Sequence, residues 1–202
     1  MGKLVIVRHG QSTWNKENKF TGWVDVDLAE KGKEEAKEAG VLMKGMYFDE
    51  GFTSALVRAQ DTLKIILAET GQEDLIVHED EALNERMYGD LQGMDKDETR
   101  TKFGVDQVHV WRRSFDIAPP NGESLKDTAD RVLPYYHKEI APLLKAGKSI
   151  IIAAHGNSLR ALIMHLENLS KDEILKVEVP TGQPKVYELD ENLKIISSAF
   201  LS

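Results

Sequence analysis

Two short apolar runs, KLVIV at 3–7 and SIIIAA at 149–154, each carry the chain straight into a histidine and a glycine, as RHG at 8–10 and HG at 155–156. Continuous aliphatic runs this short and this rich in β-branched residues fit strands buried on both faces, the pattern of a parallel sheet covered by helices. Parallel strands need crossovers of about a dozen residues or more, most often helical. The intervening sequence supplies them. KGKEEAKEAGVLMKG at 31–45 reads as a helix, FTSA at 52–55 as a strand, and the segment from about Leu56 to Glu69 as a helix whose Leu63, Ile66 and Leu67 share a face. Gly71 is a fitting stop. LIVHE at 75–79 reads as a third strand, and the stretch from ALNERMYGDLQG to IAPPNGE as mostly polar loop with short helices. A long helix is predicted from Ser124 to Ala146, with Ser124 and Asp127 as cap and first-turn acid and Gly147 at its end. SLRALIMHLENL continues as a helix, and KVYELD with LKIISSAFL forms a closing hairpin of edge strands. The expected fold is an α/β three-layer sandwich, a mostly parallel sheet with helices on both faces. Residues 1–202 are expected to form a single domain, since 202 residues at 41% hydrophobic suffice for one core.

In such sheets ligands bind beyond the carboxyl ends of the parallel strands. His9 and His155 both stand there, and neighbouring strands would bring them into one crevice although 146 positions (155 minus 9) separate them. Arg58, just past the FTSA strand, is placed to join them. Gly10 and Gly156 would let backbone amides approach an anion at the turns. Three other readings compete. Each histidine could be a satisfied polar residue at a strand end, which the matched pair argues against. A metal site would use imidazole ligands, but there is no HExxH and Arg8 would repel a cation. GKS at 147–149 is no nucleotide loop, because Pro142 stands where a Walker glycine is required and the segment precedes a strand.

Composition narrows the partners. With 34 acidic against 26 basic side chains the formal net charge is −8, which disfavours nucleic acid and anionic membranes, so any anionic ligand must meet a local positive cluster. Cysteine is absent, which excludes disulfides and thiolate metal sites and is compatible with the cytoplasm. No stretch approaches the roughly 20 apolar residues of a membrane span.

LVIVRHGQSTWN, FTGWVDVDLAEKG, SALVRAQDTL, LNERMYGDLQG, VWRRSFDIAPPNGES, AAHGNSLRAL and PTGQPKVYELD, in this order from Leu4 to Asp190, closely resemble the cofactor-dependent phosphoglycerate mutases of the histidine phosphatase superfamily. The RHG triplet belongs to the wider superfamily; the WRRSF and PTGQP segments point to the mutase branch. The resemblance implies a glycolytic and gluconeogenic isomerase that interconverts 2-phosphoglycerate and 3-phosphoglycerate through phosphohistidine, primed by 2,3-bisphosphoglycerate and using no metal. It makes His9 the nucleophile, Arg8 and Arg58 the phosphate holders, His155 a further donor to the transferring group, and Glu85 the general acid/base. Arg112 and Arg113, on a mobile loop, would read the additional substrate anions and join Arg8, Arg58, Arg86 and Lys96 in a basic focus. Ser12, Asn15, Thr21, Gly22, Arg86, Tyr88, Lys96, Gly156 and Asn157 would complete the binding shell. The histidines at 78, 109, 137 and 165 match no motif.

Gln11 and Met87 stand where many relatives carry glutamate and histidine. DIAPPNGESLKD joins the double arginine directly to the long helix, without an insertion that contributes subunit contacts in many mutases, so a monomer or small homo-oligomer is expected. The chain ends at Ser202, soon after its last strand, where longer relatives extend a tail over the site; the corresponding expectation is readier loss of the phosphoryl group to water. The competing functions are a phosphatase with the same first half-reaction and a non-catalytic phospholigand-binding module.

Overall fold

Along the first strand Leu4 and Ile6 pack into one apolar cluster while Val5 and Val7 pack into another, and along the later run Ile150, Ile152 and Ala154 separate in the same way from Ile151 and Ala153. A period of two with no polar face means that both sides of the sheet are covered. The computed structural model describes residues 1–202. Its elements run β1 (Gly2–Arg8), α1 (Thr13–Lys16), α2 (Glu30–Leu42), β2 (Glu50–Thr53), α3 (Val57–Thr70), β3 (Val77–Glu79), α4 (Lys96–Phe103), α5 (Val105–Arg113), α6 (Leu125–Tyr135), α7 (Ala141–Lys145), β4 (Ser149–Ala154), α8 (Gly156–Leu166), α9 (Lys171–Ile174), β5 (Lys185–Leu189) and β6 (Ile195–Phe200).

The strands form one sheet in the order β3-β2-β4-β1-β5-β6. The pairs β3–β2, β2–β4 and β4–β1 are parallel, and β5 and β6 add on antiparallel. Residues of α6, α7 and α8 cover one face, around Val132, Leu144 and Leu162. Ala39 and Met43, at the end of α2, and Leu63 and Ile66 of α3 cover the other. The three layers expected from the sequence are therefore present. Ile150, Ile151 and Ile152 are wholly buried, and each contributes about 2 kcal/mol through the apolar surface it removes from water.

Several boundaries differ from the sequence reading for identifiable reasons. β2 ends at Thr53 because the Ser54 hydroxyl accepts the Leu56 N–H and turns the chain into α3. Gly71 ends α3 in the left-handed conformation, φ 69°, as expected. Ser124 and Asp127 make a reciprocal capping box at the start of α6. The long helix does not run unbroken to Ala146. It passes at Tyr136–Ile140 through a π-helical turn before α7 begins. Pro142 has no N–H to give the carbonyl four residues back, and its ring crowds that carbonyl, so the helix widens there. Only β6 is an edge strand of the closing hairpin; β5 lies between β1 and β6, with Tyr187 and Leu189 fully buried. No helix is long and apolar enough to cross a membrane.

Candidate functional site

The parallel register that sets Arg8 opposite Ala154 delivers His9 and His155 side by side, one residue beyond the ladder. The His9 N–H still donates to the Ala154 carbonyl at 3.0 Å. The two rings meet edge to face, centroids 5.0 Å apart, and both residues are buried. His9 Nδ1 lies 2.6 Å from the Gly10 carbonyl oxygen. A carbonyl only accepts, so Nδ1 carries the proton and Nε2 keeps its lone pair. Burial, then Arg58 and Arg8, hold the His9 imidazole well below its ordinary value of 6.5. Burial, followed by Arg58, His9 and Arg8, does the same for His155. Both rings are neutral at neutral pH.

That pair gives the fold a pH dependence. In the unfolded chain the two imidazoles protonate near 6.5, whereas in the folded chain they resist protonation to lower pH, so below that point the unfolded state binds more protons. The stabilisation is complete above about pH 6.5 and is lost as pH falls towards the depressed native values, at up to about 1.4 kcal/mol per pH unit for each histidine. Urea unfolding between pH 7 and pH 5 should show this decline, and His155→Gln should make it shallower. An unchanged slope in that variant would mean that His155 titrates normally.

Gly10 has a different purpose from the one its place after a histidine suggested. Its N–H donates to Thr62 Oγ1 at 3.1 Å rather than facing a ligand, and a Cβ there would lie 2.1 Å from the Gly32 carbonyl oxygen. The glycine lets the turn pack against α2. At Gly156, the first residue of α8, a Cβ would stand 3.4 Å from the Arg8 guanidinium carbon, an ordinary contact, so Arg8 lies against the helix N-terminus without demanding a glycine there.

Arg58 enters from the first turn of α3, fully buried, and its guanidinium is aimed by the carbonyls of Val24 and Gly22 at 3.0 and 2.8 Å. Burial pushes it down to about 10, which leaves it charged. Arg8 donates through Nη1 to the Val179 carbonyl at 3.0 Å, and its buried Nε has no partner. Opposite these cations stands Glu85, whose Oε1 accepts the N–H groups of Arg86 and Asn157 at 2.8 and 3.0 Å. Glu85 belongs to a segment without regular pairing. Arg131 of α6 fastens that segment, donating to the carbonyls of Ala82, Asn84 and Glu85 while pairing in parallel with the Glu123 carboxylate. Trp23 Nε1 adds a bond to the Glu85 carbonyl at 2.7 Å.

One cavity collects most of the residues that the sequence singled out: Arg8, His9, Asn15, Thr21, Gly22, Arg58, Glu85, Tyr88, Lys96, Arg112, Arg113, Gly156 and Asn157 all line it. His155 backs His9. Ser12 does not reach the cavity; it is the buried N-cap of α1, in a capping box with Asn15. Arg86 also lies behind the wall, donating to the Tyr88 hydroxyl and the Arg112 carbonyl, both at 3.0 Å. Arg112 and Arg113 form the last turn of α5 rather than a loop, a place where the helix dipole favours cations. Arg113 meets Glu178 at 3.1 Å. Burial, then neighbouring Arg112, lowers Lys96.

The sequence reading missed Lys19, Phe20, Arg160, Glu178 and Val179, which also line the cavity. Arg160 left a readable signal, since it follows Gly156 by one helical turn and so shares its face. Its Nη1 donates to Asn157 Oδ1 at 3.0 Å and Nη2 to the Ile174 carbonyl at 2.7 Å. Counting the lining side chains, seven cations (Arg8, Lys19, Arg58, Lys96, Arg112, Arg113, Arg160) face two carboxylates (Glu85, Glu178). Buried side-chain nitrogens of Arg8, Arg86, Arg160 and His155 have no partner in the protein. Such a surplus fits a small, multiply charged anion such as a bisphosphorylated carboxylate.

The comparisons agree with this chemistry. Residues 4–199 match the family model of the histidine phosphatase superfamily (branch 1). A 2,3-bisphosphoglycerate-dependent phosphoglycerate mutase of Parvibaculum lavamentivorans is 56% identical over 98% of this chain and 95% of its own length. A phosphoglycerate mutase of Schizosaccharomyces pombe is 58% identical with the same coverage. Among solved structures, a mycobacterial glucosyl-3-phosphoglycerate phosphatase superposes with a TM-score of 0.81 at 25% identity, covering 98% of this chain and 96% of that one. The fold is thus shared with a phosphatase, while the far higher identity is with the mutases. By its near full-length match and that identity, the chain belongs to the histidine phosphatase superfamily and, within it, to the 2,3-bisphosphoglycerate-dependent phosphoglycerate mutases.

Proposed function

We propose that this enzyme interconverts 2-phosphoglycerate and 3-phosphoglycerate through a phosphohistidine on His9. The observation that carries the reading is a neutral, buried histidine whose proton is committed to Gly10, leaving Nε2 as a nucleophile beneath a cluster of arginines. When bound, 2,3-bisphosphoglycerate supplies the phosphoryl group that primes His9. In transfer to the enzyme the Nε2 lone pair forms the N–P bond while the P–O bond to the substrate oxygen breaks and that oxygen leaves with the bonding electrons; in transfer back a substrate hydroxyl oxygen forms the new P–O bond while the N–P bond breaks and Nε2 recovers its lone pair. Glu85 serves both directions, giving the departing oxygen its proton and recovering one from the hydroxyl that next accepts phosphate. The Gly10 carbonyl steadies the positive imidazole as the N–P bond forms. Arg8, Arg58 and His155 stabilise the charge on the equatorial oxygens, and each such donor is worth about 3 kcal/mol.

Arg112, Arg113 and Lys96 hold the carboxylate and the second phosphate. Residues 1–202 act in this reading as one catalytic domain on small phosphoglycerates, without nucleic acid or membrane. The experiment is an assay of 3-phosphoglycerate turnover with and without 2,3-bisphosphoglycerate, in the presence of chelator, following isomerisation and free phosphate together. Isomerisation that requires the primer and outpaces phosphate release is expected; release of phosphate as the main product would make the enzyme a phosphatase.

A further inference from the structure

Ser54 lies fully buried at the turn from β2 into α3, outside the cavity lining. Its Oγ is 2.7 Å from His155 Nε2 and accepts the Leu56 N–H at 3.2 Å. The turn around it is fixed from three sides. Thr53 Oγ1 donates to the Ala153 carbonyl, Gln60 Nε2 to the Ser54 carbonyl, and the Ala55 N–H to Asn84 Oδ1. We infer that Ser54 is a positioning residue that decides which nitrogen of His155 carries its proton, and thereby turns that histidine into an Nδ1–H donor for the transferring phosphoryl group. The inference rests on the reading of His155 as such a donor.

A serine hydroxyl has one hydrogen and two acceptor lone pairs, and a neutral imidazole has one N–H and one bare nitrogen. Burial and the flanking Arg58, His9 and Arg8 keep His155 neutral. If its proton sat on Nε2, the Ser54 oxygen would accept from both Leu56 and His155, and the hydroxyl hydrogen would be buried with nothing to receive it. A bare Nδ1 lone pair would then repel an arriving phosphate. With the proton on Nδ1, the Ser54 hydroxyl donates to Nε2, the Leu56 N–H is satisfied, and a single donor remains. That donor is Nδ1–H, which has no partner in the protein; the Ser158 N–H in the first turn of α8 faces the ring but makes no hydrogen bond to it. Its ring centroid lies 5.0 Å from that of His9, close enough for both residues to touch one phosphoryl group. A buried unsatisfied donor is costly and normally marks an absent ligand or a functional demand.

The test is 15N NMR of the full chain labelled in histidine, with His155 assigned by its disappearance in His155→Gln, combined with the rate of His9 phosphorylation by 2,3-bisphosphoglycerate. The expected spectrum shows Nδ1 protonated and Nε2 bare. Ser54→Ala should shift the population towards Nε2–H and slow phosphorylation about 10- to 100-fold, with KM changed less than about threefold; Ser54→Thr, which keeps the hydroxyl, should restore both. A wild-type spectrum with Nε2 protonated overturns the inference, and so does Ser54→Ala with unaltered tautomer and rate. Should His155→Gln phosphorylate His9 at the full rate, the donor role of His155 itself fails, a result distinguishable because the wild-type tautomer is read without turnover.

Discussion

Alanine in place of His9 is expected to lower isomerisation by on the order of 10⁵-fold or more, the scale seen when a covalent nucleophile is removed from an otherwise intact site. No other residue in the cavity combines a bare nitrogen with flanking phosphate holders. Arg8, Arg58 and His155 would still bind the substrate, so KM should change far less than kcat. Wild-type protein incubated with 2,3-bisphosphoglycerate should carry an acid-labile, alkali-stable phosphoryl group that survives chelator, and the variant should carry none. At neutral pH the variant should stay folded, because the ring it loses is uncharged and its main anchor is the adjacent Gly10 carbonyl. Substantial activity in folded His9→Ala would remove the phosphohistidine route.

The second large effect is expected from replacing Arg112 and Arg113 together by alanine. Hydrogen bonds to charged groups contribute about 1.5–3 kcal/mol each, so losing two guanidiniums should reduce kcat/KM for 3-phosphoglycerate by about 10²- to 10⁴-fold. Alanine keeps α5 helical, and the Arg112 carbonyl that receives Arg86 remains. The Arg113–Glu178 pair is open to solvent on its Glu178 side and only partly buried at Arg113, hence worth about 1 kcal/mol, and its loss should leave the fold unmoved. Phosphorylation of His9 by a small ester lacking a carboxylate should fall by less than about tenfold, since Arg8, Arg58 and His155 still hold the phosphoryl group. Equal losses on the two substrates would assign the arginines a general rather than a discriminating role.

Local chemistry that obeys a short rule was legible in the sequence. The β-branched runs of β1 and β4, the Ser124–Asp127 capping box and the glycine stop of α3 are each decided within a few residues. The pairing of His9 with His155 was legible too, because parallel strands leave little freedom in where their ends meet. What escaped depends on contacts distant in sequence. Gly10 is required by Gly32, and the Glu85 segment takes its shape from Arg131, 46 residues away. The π-helical turn reflects a choice between breaking at proline and bulging around it, settled by packing of Tyr136 and Ile140 into the core. Ser12 looked like a ligand contact because a helix cap and a binding motif use the same residue types.

The cavity is assembled from two kinds of chain. Arg8, His9, Arg58 and His155 follow directly from buried strands or open the helix after one, whereas Glu85, Tyr88, Lys96, Arg112 and Arg113 all belong to the excursion between β3 and α6. Under the proposed roles, the groups that take up and hold the phosphoryl group are anchored in the least alterable part of the molecule, whereas the proton-transferring Glu85 and the groups that discriminate between substrates lie in a stretch that can lengthen, shorten or change residues without disturbing the sheet. Selection could then rewrite what the enzyme accepts while inheriting how it handles phosphorus, so that divergence between isomerase and hydrolase would require changes in one segment rather than a new catalytic core.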